Sequence, residues 1–277
     1  MESLKGKVGV VTGGASGIGK AIAAAMVAEG MQVVISDVEA DRLQAVADEL
    51  GAFAVVADVS NAEDVDTLAR AALAQFGAVH VLCNNAGVGP MAPLANLTLR
   101  DWRWLIDVNL RGVIHGITSF LPILRDNADG GHIVNTASMA GLLAVPGLTP
   151  YSATKFAVVG LSEAMAAELA LEGSPIGVSI LCPGPVRTDL GRSTRNRPAA
   201  LAGALADVLL EDSIQFEGLP IDWLSPEDTA GLVIHAIKAN ELYVITHPAM
   251  QPEVEARHRG IEQAFDTERA RRGGSPA

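Results

Sequence analysis

The chain has 277 residues and a formal net charge of −12, with 49% hydrophobic and 19% charged residues. This balance is typical of a globular protein with a large core and excludes an intrinsically disordered chain. The acidic balance argues against a nucleic-acid partner, because proteins that bind nucleic acids gather cations to neutralise phosphates.

Short apolar runs alternate along the chain with longer segments of helical periodicity. Most of the runs are apolar on both faces, as expected for parallel strands that are covered on both sides. The predicted strands are residues 7–12, 32–36, 53–57, 79–83, 132–137, 178–182 and 242–246. The predicted crossover helices are residues 17–30, 41–50, 62–77 and 152–173. Repeated βα units predict an α/β, Rossmann-type doubly wound parallel sheet of about seven strands, with helices on both faces.

The sequence carries no membrane or metal signature. Its first residues lead directly into a strand pattern, and no later run reaches the roughly 18 apolar residues of a membrane span. Cys83 and Cys182 each lie in an apolar run, and neither they nor the six histidines show metal-ligand spacing. We expect a cytoplasmic protein that binds no membrane and no metal.

A glycine-rich turn follows the first predicted strand, with the sequence TGGASGIG at residues 12–19. Gly13, Gly17 and Gly19 let the turn tighten and let its backbone approach a pyrophosphate, while Ser16 and Ile18 complete it. The next helix offers unsatisfied N–H groups and the positive end of its dipole. An ordinary tight βα turn is the alternative interpretation.

Asp37 follows the second predicted strand, eighteen residues after Gly19. A carboxylate there can accept hydrogen bonds from the adenosine ribose hydroxyls and repel a 2′-phosphate, which favours NAD over NADP. It could instead cap the helix that begins near Glu39. The lack of a basic residue at positions 14–16 or at Val38 supports the first interpretation, but Arg42 nearby keeps NADP open.

Small and amide side chains follow the next two predicted strands. Asp58 and Val59 come after the third strand and suit an adenine, whereas NNAG at residues 84–87 follows the fourth and suits a nicotinamide ribose. A simple turn is the alternative for NNAG.

Taken in chain order, these motifs resemble the short-chain dehydrogenase/reductase family. The matching features are TGGASGIG, Asp37, NNAG, Asn109 in DVNL, Ser138, Tyr151-Ser-Ala-Thr-Lys155 and PGPVRT at residues 183–188, and they span about residues 5–246. The resemblance implies a nicotinamide-dependent oxidoreductase whose catalytic residues are Ser138, Tyr151, Lys155 and Asn109. The cofactor contacts that it implies are Gly13, Ser16, Gly17, Ile18, Gly19, Asp37, Val38, Asp58, Val59, Asn85, Ala86, Gly87, Tyr151, Lys155, Pro183, Gly184, Val186 and Thr188.

The chemistry of the tyrosine and the lysine can also be argued from the residues. Tyr151 and Lys155 are four positions apart, so they share a face of a helix. A free tyrosine has a pKa of about 10, and we expect the neighbouring ammonium and the positive nicotinamide of NAD to lower it. Tyr151 would then exchange a proton with the substrate, Ser138 would hydrogen-bond the substrate oxygen, and Asn109 would hold a water that connects Lys155 to solvent. In isolation, such a pair is as well explained by a half-buried aromatic beside a solvated lysine.

The predicted substrate pocket is apolar and indicates an uncharged, hydrophobic or aromatic secondary alcohol or ketone. Its expected wall consists of Val88, Met91, Met139, Leu142, Leu143 and Leu190. Four arginines, Arg187, Arg192, Arg195 and Arg197, are interpreted as solvated charges, with a clamp for an anionic substrate as the alternative.

We predict one dinucleotide-binding catalytic domain over residues 1–277, with a core at about 5–246 and a substrate lid at about 189–224. An extension follows at 247–277, and the stretch ELYVITHPAMQPEVEARH at residues 241–258 resembles a bacterial subgroup that acts on bulky secondary alcohols, including aryl-ether Cα-dehydrogenases. Helix 152–170 is apolar around most of its circumference, which favours a homotetramer or a homodimer. The predicted function is an NAD-dependent alcohol dehydrogenase. The alternatives are an NADPH-linked 3-oxoacyl or ketone reductase and a non-catalytic nucleotide-sensing protein.

Overall fold

A computed structural model describes residues 1, 3–208 and 222–273 of the chain. The predicted sheet is confirmed: seven parallel strands lie in the order β3-β2-β1-β4-β5-β6-β7. Their ends differ from the predicted ones by one or two residues. The strands are β1 (Val8–Thr12), β2 (Gln32–Asp37), β3 (Phe53–Val56), β4 (Val81–Asn84), β5 (Gly131–Thr136), β6 (Ile176–Cys182) and β7 (Tyr243–Ile245).

Helices cover the sheet, and the four predicted crossover helices are present as α1, α2, α3 and α6. The helices are α1 (Gly17–Ala28), α2 (Ala40–Leu50), α3 (Ala62–Phe76), α4 (Leu99–Ile106), α5 (Gly112–Arg125), α6 (Thr149–Leu171), α7 (Pro226–Ala239) and α8 (Gln251–Arg271). The sequence patterns did not predict α4, α5, α7 or α8. A π-helical turn at Asp107–Arg111 joins α4 to α5. The π-helical turn shifts the apolar face between α4 and α5, and this shift obscures the helical periodicity of the sequence.

Two apolar clusters lie on opposite faces of the sheet. One packs α1, α2 and α7 against the strands through residues such as Ile22, Leu43 and Val233. The other packs α3 and α5 through Leu68 and Phe120. Because both faces are covered, every residue of β1 and β4 is buried, which explains the uninterrupted apolar runs in the sequence.

The strand order reverses between β1 and β4. The chain runs from β1 outward to β2 and β3, and then returns to place β4 on the other side of β1, with Val11 paired to Cys83. The connections that follow β1 and β4 therefore diverge and leave a crevice beyond their carboxyl ends. This crevice is where ligands bind in sheets of this type.

Residues 1–246 and 247–277 are two compact units. The second contains a short 3₁₀ turn at Pro248–Met250 and then α8, in which every residue is described and none is buried. Part of the predicted lid, residues 209–221, lies outside the described residues, as do residues 274–277 of the extension. Within the described ranges, no helix has the length and apolar character needed to cross a membrane.

Candidate functional site

The glycine-rich turn closes tightly against itself. Gly13 and Gly17 have φ angles of 66° and 51°, in the left-handed region that side chains rarely adopt. A Cβ atom on Gly19 would lie 2.1 Å from the carbonyl oxygen of Gly13, and one on Gly17 would lie 3.1 Å from the methyl carbon of Thr188. The turn therefore needs glycine for its conformation and for its close contacts.

The amino end of α1 has free backbone donors. Its N-cap residue, Ser16, makes no side-chain capping hydrogen bond within the part of the chain that the structure describes. By contrast, Asn61, Thr98 and Ser225 cap α3, α4 and α7 with their side chains. The N–H groups of the first turn of α1, which includes Ile18, therefore remain available to an external anion. The turn and the uncapped helix fit a dinucleotide diphosphate.

Asp37 joins the glycine-rich turn to the end of β2. Its Oδ2 atom accepts a hydrogen bond from the backbone N–H of Ala15, and its Oδ1 atom accepts one from Glu39, each at 3.1 Å. The carboxylate thus orders the backbone before α2, but it does not cap that helix, whose N-cap residue is Glu39. It still has acceptor capacity for ribose hydroxyls, because each oxygen has two lone pairs. Arg42 pairs with other carboxylates: it donates a hydrogen bond to Glu39 at 3.1 Å and lies 3.7 Å from Asp189.

Val38, Asp58 and Val59 lie at the ends of β2 and β3, on the predicted adenine side. Val38 is exposed, whereas Val59 is buried against Gly112. The Oδ1 atom of Asp58 accepts a hydrogen bond of 2.9 Å from the backbone N–H of Ser60, which orders the loop after β3.

Hydrogen bonds hold the ends of β1, β4 and β5 together. The hydroxyl oxygen of Thr12 accepts from the backbone N–H groups of Asn85 and Ala86, at 3.0 and 3.1 Å. The side-chain amide of Asn85 donates to the Thr12 carbonyl at 3.1 Å and accepts from the hydroxyl of Thr136 at 3.4 Å. A Cβ atom on Gly87 would lie 3.8 Å from Nζ of Lys155. NNAG is therefore more than a turn, because it links three strand ends beside the predicted catalytic lysine.

The structure brings Ser138, Tyr151 and Lys155 together at the end of β5. Ser138 accepts a hydrogen bond from Ala140 at 3.1 Å and also hydrogen-bonds Tyr151. The Nζ atom of Lys155 lies 5.5 Å from the centre of the Tyr151 ring and donates to the Thr136 carbonyl at 2.7 Å. Tyr151 and Lys155 are 7% and 3% exposed. Burial therefore governs the charge states of both the tyrosine and the lysine.

Burial raises the pKa of Tyr151 to about 12, and the hydrogen bond with Ser138 opposes this shift. The expectation of a lowered tyrosine pKa is therefore wrong for the protein alone. The reason is that removing the phenolate from water raises the pKa more than the neighbouring groups lower it. Burial also lowers the pKa of Lys155 to about 8, because it disfavours the ammonium.

Asn109 is fully buried in the π-helical turn. Its Oδ1 atom accepts from the Val88 N–H at 2.8 Å, and its Nδ2 atom donates to the Val88 carbonyl at 2.9 Å. This pair of bonds fixes the loop after β4. The Asn109 side chain thus fixes the backbone of Val88, a role that the sequence did not predict.

The segment after β6 lies beside the same site. The Pro183 carbonyl accepts from the Ser138 hydroxyl at 3.3 Å, and the Gly184 N–H donates to the Thr246 hydroxyl at 3.0 Å. Val186 and Thr188 line a cavity of about 620 Å³ together with Ser16 and Gly17, and also with Lys20, Arg42, Trp223 and Pro226. The cavity thus adjoins the glycine-rich turn and not Tyr151.

An apolar cluster surrounds Tyr151. It includes three of the predicted wall residues, Val88, Met91 and Leu190. Three others, all described, lie outside this cluster: Met139, Leu142 and Leu143. The sequence patterns missed Ala92, Trp104, Leu105, Leu148 and Leu205. Trp104 and Leu105 could have been found from the amphipathic LRDWRWLI segment of α4, but nothing local indicates Leu205.

The four arginines of the lid region do not share one role. Arg192 is exposed, and Arg195 makes two hydrogen bonds with Glu39, at 2.7 and 3.0 Å. Arg197 is different: its side chain is 6% exposed and pairs with Asp101 at 2.7 Å. The interpretation of all four as solvated charges is wrong for Arg197, since a carboxylate of another helix neutralises it. Among the described residues, no group of three or more His, Cys, Asp or Glu side chains could hold a metal.

Known proteins match the chain over most of its length. A family model described as short chain dehydrogenase matches residues 7–199. A CLA biosynthesis dehydrogenase/reductase from Lactiplantibacillus plantarum is 33% identical over 94% of this chain and 95% of its own. A C alpha-dehydrogenase from Sphingobium sp. SYK-6 is 33% identical over 94% of this chain and 87% of its own. The crystal structure of a short chain dehydrogenase/reductase from Burkholderia phymatum in complex with NAD is 40% identical, with a TM-score of 0.89 and coverage of 95% of this chain and 97% of that one.

Proposed function

Since the chain belongs to the short-chain dehydrogenase/reductase family of oxidoreductases, we propose that it oxidises a hydrophobic secondary alcohol to a ketone with NAD. The observation that carries this proposal is the convergence of Ser138, Tyr151 and Lys155 beside the apolar cluster. A buried hydroxyl, a buried cation and an apolar wall together suit an uncharged substrate that must exchange one proton.

In the proposed reaction, Ser138 donates a hydrogen bond to the substrate oxygen and Tyr151 removes the hydroxyl proton. Lys155 stabilises, through its charge, the phenolate that accepts this proton, and the transfer leaves Tyr151 as the neutral phenol. The nicotinamide ring, when bound, carries a positive charge and accepts the hydride from the substrate carbon. Asn109 fixes the loop that faces Lys155, and the same residues act in reverse during ketone reduction.

The proposed cofactor contacts follow the crevice from one end to the other. Asp37, Val38, Asp58 and Val59 would hold the adenosine, and Gly13, Ser16, Gly17, Ile18 and Gly19 the diphosphate. The nicotinamide half would lie against Asn85, Ala86, Gly87, Tyr151, Lys155, Pro183, Gly184, Val186 and Thr188.

The substrate class is supported by the apolar side chains that pack around Tyr151. A bulky or aromatic alcohol is the preferred candidate. We further propose a cytoplasmic homo-oligomer, dimer or tetramer. The support is that Ala153, Phe156, Ala157, Gly160 and Leu161 on α6 are only partly buried or exposed.

Replacing Asp37 with Asn tests the proposed choice of NAD. The amide keeps one acceptor for the backbone N–H groups but removes the charge that repels a 2′-phosphate. We expect the ratio of kcat/KM for NAD to that for NADP to fall by about 10- to 100-fold, because hydrogen bonds to a charged group contribute about 1.5–3 kcal/mol. The measurement is initial-rate kinetics with both cofactors and 1-phenylethanol.

Asp41→Asn is the matched control, because Asp41 is exposed in the first turn of α2 and carries the same charge. It should leave the cofactor ratio unchanged. An unaltered ratio in Asp37→Asn would remove this role from Asp37. A wild-type preference for NADPH would favour the ketone reductase instead.

Replacing Gly19 with Ala tests the diphosphate cradle. The added Cβ atom would lie 2.1 Å from the backbone oxygen of Gly13, so the turn must open. We expect the Kd for NADH to rise by at least about 10-fold, the equivalent of 1.4 kcal/mol. Gly231→Ala in α7 is the control, since its Cβ atom meets nothing within 4 Å. Equal NADH binding by the two variants, measured by fluorescence titration, would exclude the cradle.

A further inference from the structure

The carboxylate of Asp101 is fully buried and accepts hydrogen bonds from two separate parts of the chain. Its Oδ2 atom accepts from the Thr98 N–H and hydroxyl, both at 2.7 Å, and from the Ala204 N–H at 3.2 Å. Its Oδ1 atom accepts from Arg197 at 2.7 Å and from the Leu205 N–H at 3.0 Å. One carboxylate therefore caps α4 and also holds the segment 197–205.

The contacts of Asp101 suit a permanently charged group. Burial by itself raises the pKa of this carboxyl, but the hydrogen bonds from Thr98, Leu205 and Arg197 outweigh it and hold the pKa well below its usual range. Arg197 also stacks on Trp104 of α4, with its guanidinium 5.1 Å from the ring centre. A buried charge pair of this kind is costly to break, because removal of one member leaves the other unpaired.

The backbone of the segment approaches Asp101 so closely that glycine is required. A Cβ atom on Gly203 would lie 2.5 Å from a carboxylate oxygen of Asp101. Beyond it, Met91 and Ala206 exchange two backbone hydrogen bonds, at 3.1 and 3.0 Å. The segment is therefore fastened on one side to α4 and on the other to the loop after β4.

This fastening holds Leu205 in the same apolar cluster as the proposed catalytic tyrosine. Leu205 is 6% exposed and belongs to the same apolar cluster as Tyr151, Val88 and Trp104. Its backbone N–H is one of the donors to Asp101. The position of a side chain in this apolar cluster is thus tied to a carboxylate that lies outside the cluster.

We propose that Asp101 is a positioning residue that sets substrate-size selectivity by holding Leu205 in the apolar cluster beside which the alcohol is proposed to bind. The inference rests on the proposed function, because it requires that alcohols bind beside Tyr151. The competing explanation is that Asp101 only stabilises the amino end of α4. The two explanations differ in whether selectivity, as well as stability, depends on this carboxylate.

The experiment measures kcat and KM of the NAD-dependent oxidation of 2-butanol and 1-(2-naphthyl)ethanol. In Leu205→Ala, we expect the kcat/KM ratio to move toward the naphthyl alcohol by about 10-fold or more, through KM, because a larger space admits the larger group. Asp101→Asn should move the ratio in the same direction, since Leu205 loses its anchor. Arg197→Lys, which keeps the charge, should produce a smaller shift.

Thr98→Ala is the matched control, because it removes a capping donor to Asp101 and leaves the donors of the segment in place. It should lower Tm without changing the ratio. An unchanged ratio in Leu205→Ala, or an equal shift in Thr98→Ala and Asp101→Asn, would overturn the inference. If Asp101→Asn does not fold, Arg197→Lys and Leu205→Ala decide the question. Wild-type turnover with unaltered ratios overturns this inference alone, whereas no wild-type turnover of either alcohol overturns the proposed function with it.

Discussion

Replacing Tyr151 with Phe is expected to lower kcat/KM for alcohol oxidation by about 10³-fold, within the range that a positioned acid or base contributes. The variant removes only the hydroxyl that would exchange the proton. The ring should keep its packing, because Tyr151 is 7% exposed among apolar side chains. The measurement is initial rates with saturating NAD and 1-phenylethanol, together with Tm, which should stay near its wild-type value.

The chain supplies its own control, because it contains only two tyrosines. Tyr243 lies on β7, is 39% exposed and donates its hydroxyl to Glu163. Tyr243→Phe therefore removes the same group from a surface contact, and we expect near-normal rates. Turnover above about a tenth of wild type in folded Tyr151→Phe would contradict the proton-transfer role. The hydroxyl would then contribute less than about 10-fold to the rate, far below the usual range for an acid or base.

The sheet and much of the candidate site were predictable from the sequence because they depend on local patterns. Strands covered on both faces are apolar at every position, so their ends can be located to within two residues. In a parallel sheet, the residues that follow each strand meet at one edge, so Ser138 and Asn85 are brought together by topology. The spacing of four residues then places Tyr151 and Lys155 on one face of α6.

The contacts of the lid region could not be predicted in this way. Asp101 and Arg197 are 96 positions apart, and each has a sufficient local explanation. Asp101 completes a capping box with Thr98, and Arg197 follows a run of polar residues. Only in the folded chain do Arg197 and the backbone N–H of Leu205 contact the carboxylate of Asp101, which also caps α4. The same holds for Asn109, whose bonds to Val88 depend on the π-helical turn.

The pKa of Tyr151 shows why the spacing of Tyr151 and Lys155 was insufficient to predict the charge state of the tyrosine. The spacing correctly indicated a nearby ammonium, and the structure has Nζ of Lys155 5.5 Å from the ring centre. It gave no measure of burial, which raises the pKa to about 12. Any lowering during the reaction must therefore come from charges that act in the same buried space, and Lys155 supplies one such charge.

Lys155→Met is expected to lower kcat/KM for alcohol oxidation at pH 7.5 by about 100-fold. Nζ of Lys155 lies 5.5 Å from the ring centre, and an opposite charge within about 4–6 Å lowers the pKa of an acid by about 1–3 units. Without that charge, less phenolate forms at a given pH. The wild-type profile of log kcat/KM against pH should bend near pH 8, where Lys155 loses its proton, and the variant should lack this bend.

A loss of stability is not the expected cause, because Lys155 is charged in a site that disfavours charge. Its pKa is about 8 in the folded protein and 10.5 in a solvated chain, so the unfolded state binds more protons between these values. Wild-type stability should therefore gain a contribution as the pH rises from 8 to 10.5, and Lys155→Met should lack it. Lys238→Met, which removes a surface pair with Glu29, is the control for the loss of a lysine. If Lys155→Met keeps both the wild-type rate at pH 7.5 and the bend near pH 8, then Lys155 does not govern the charge state of Tyr151, and the phenolate must be stabilised by other groups.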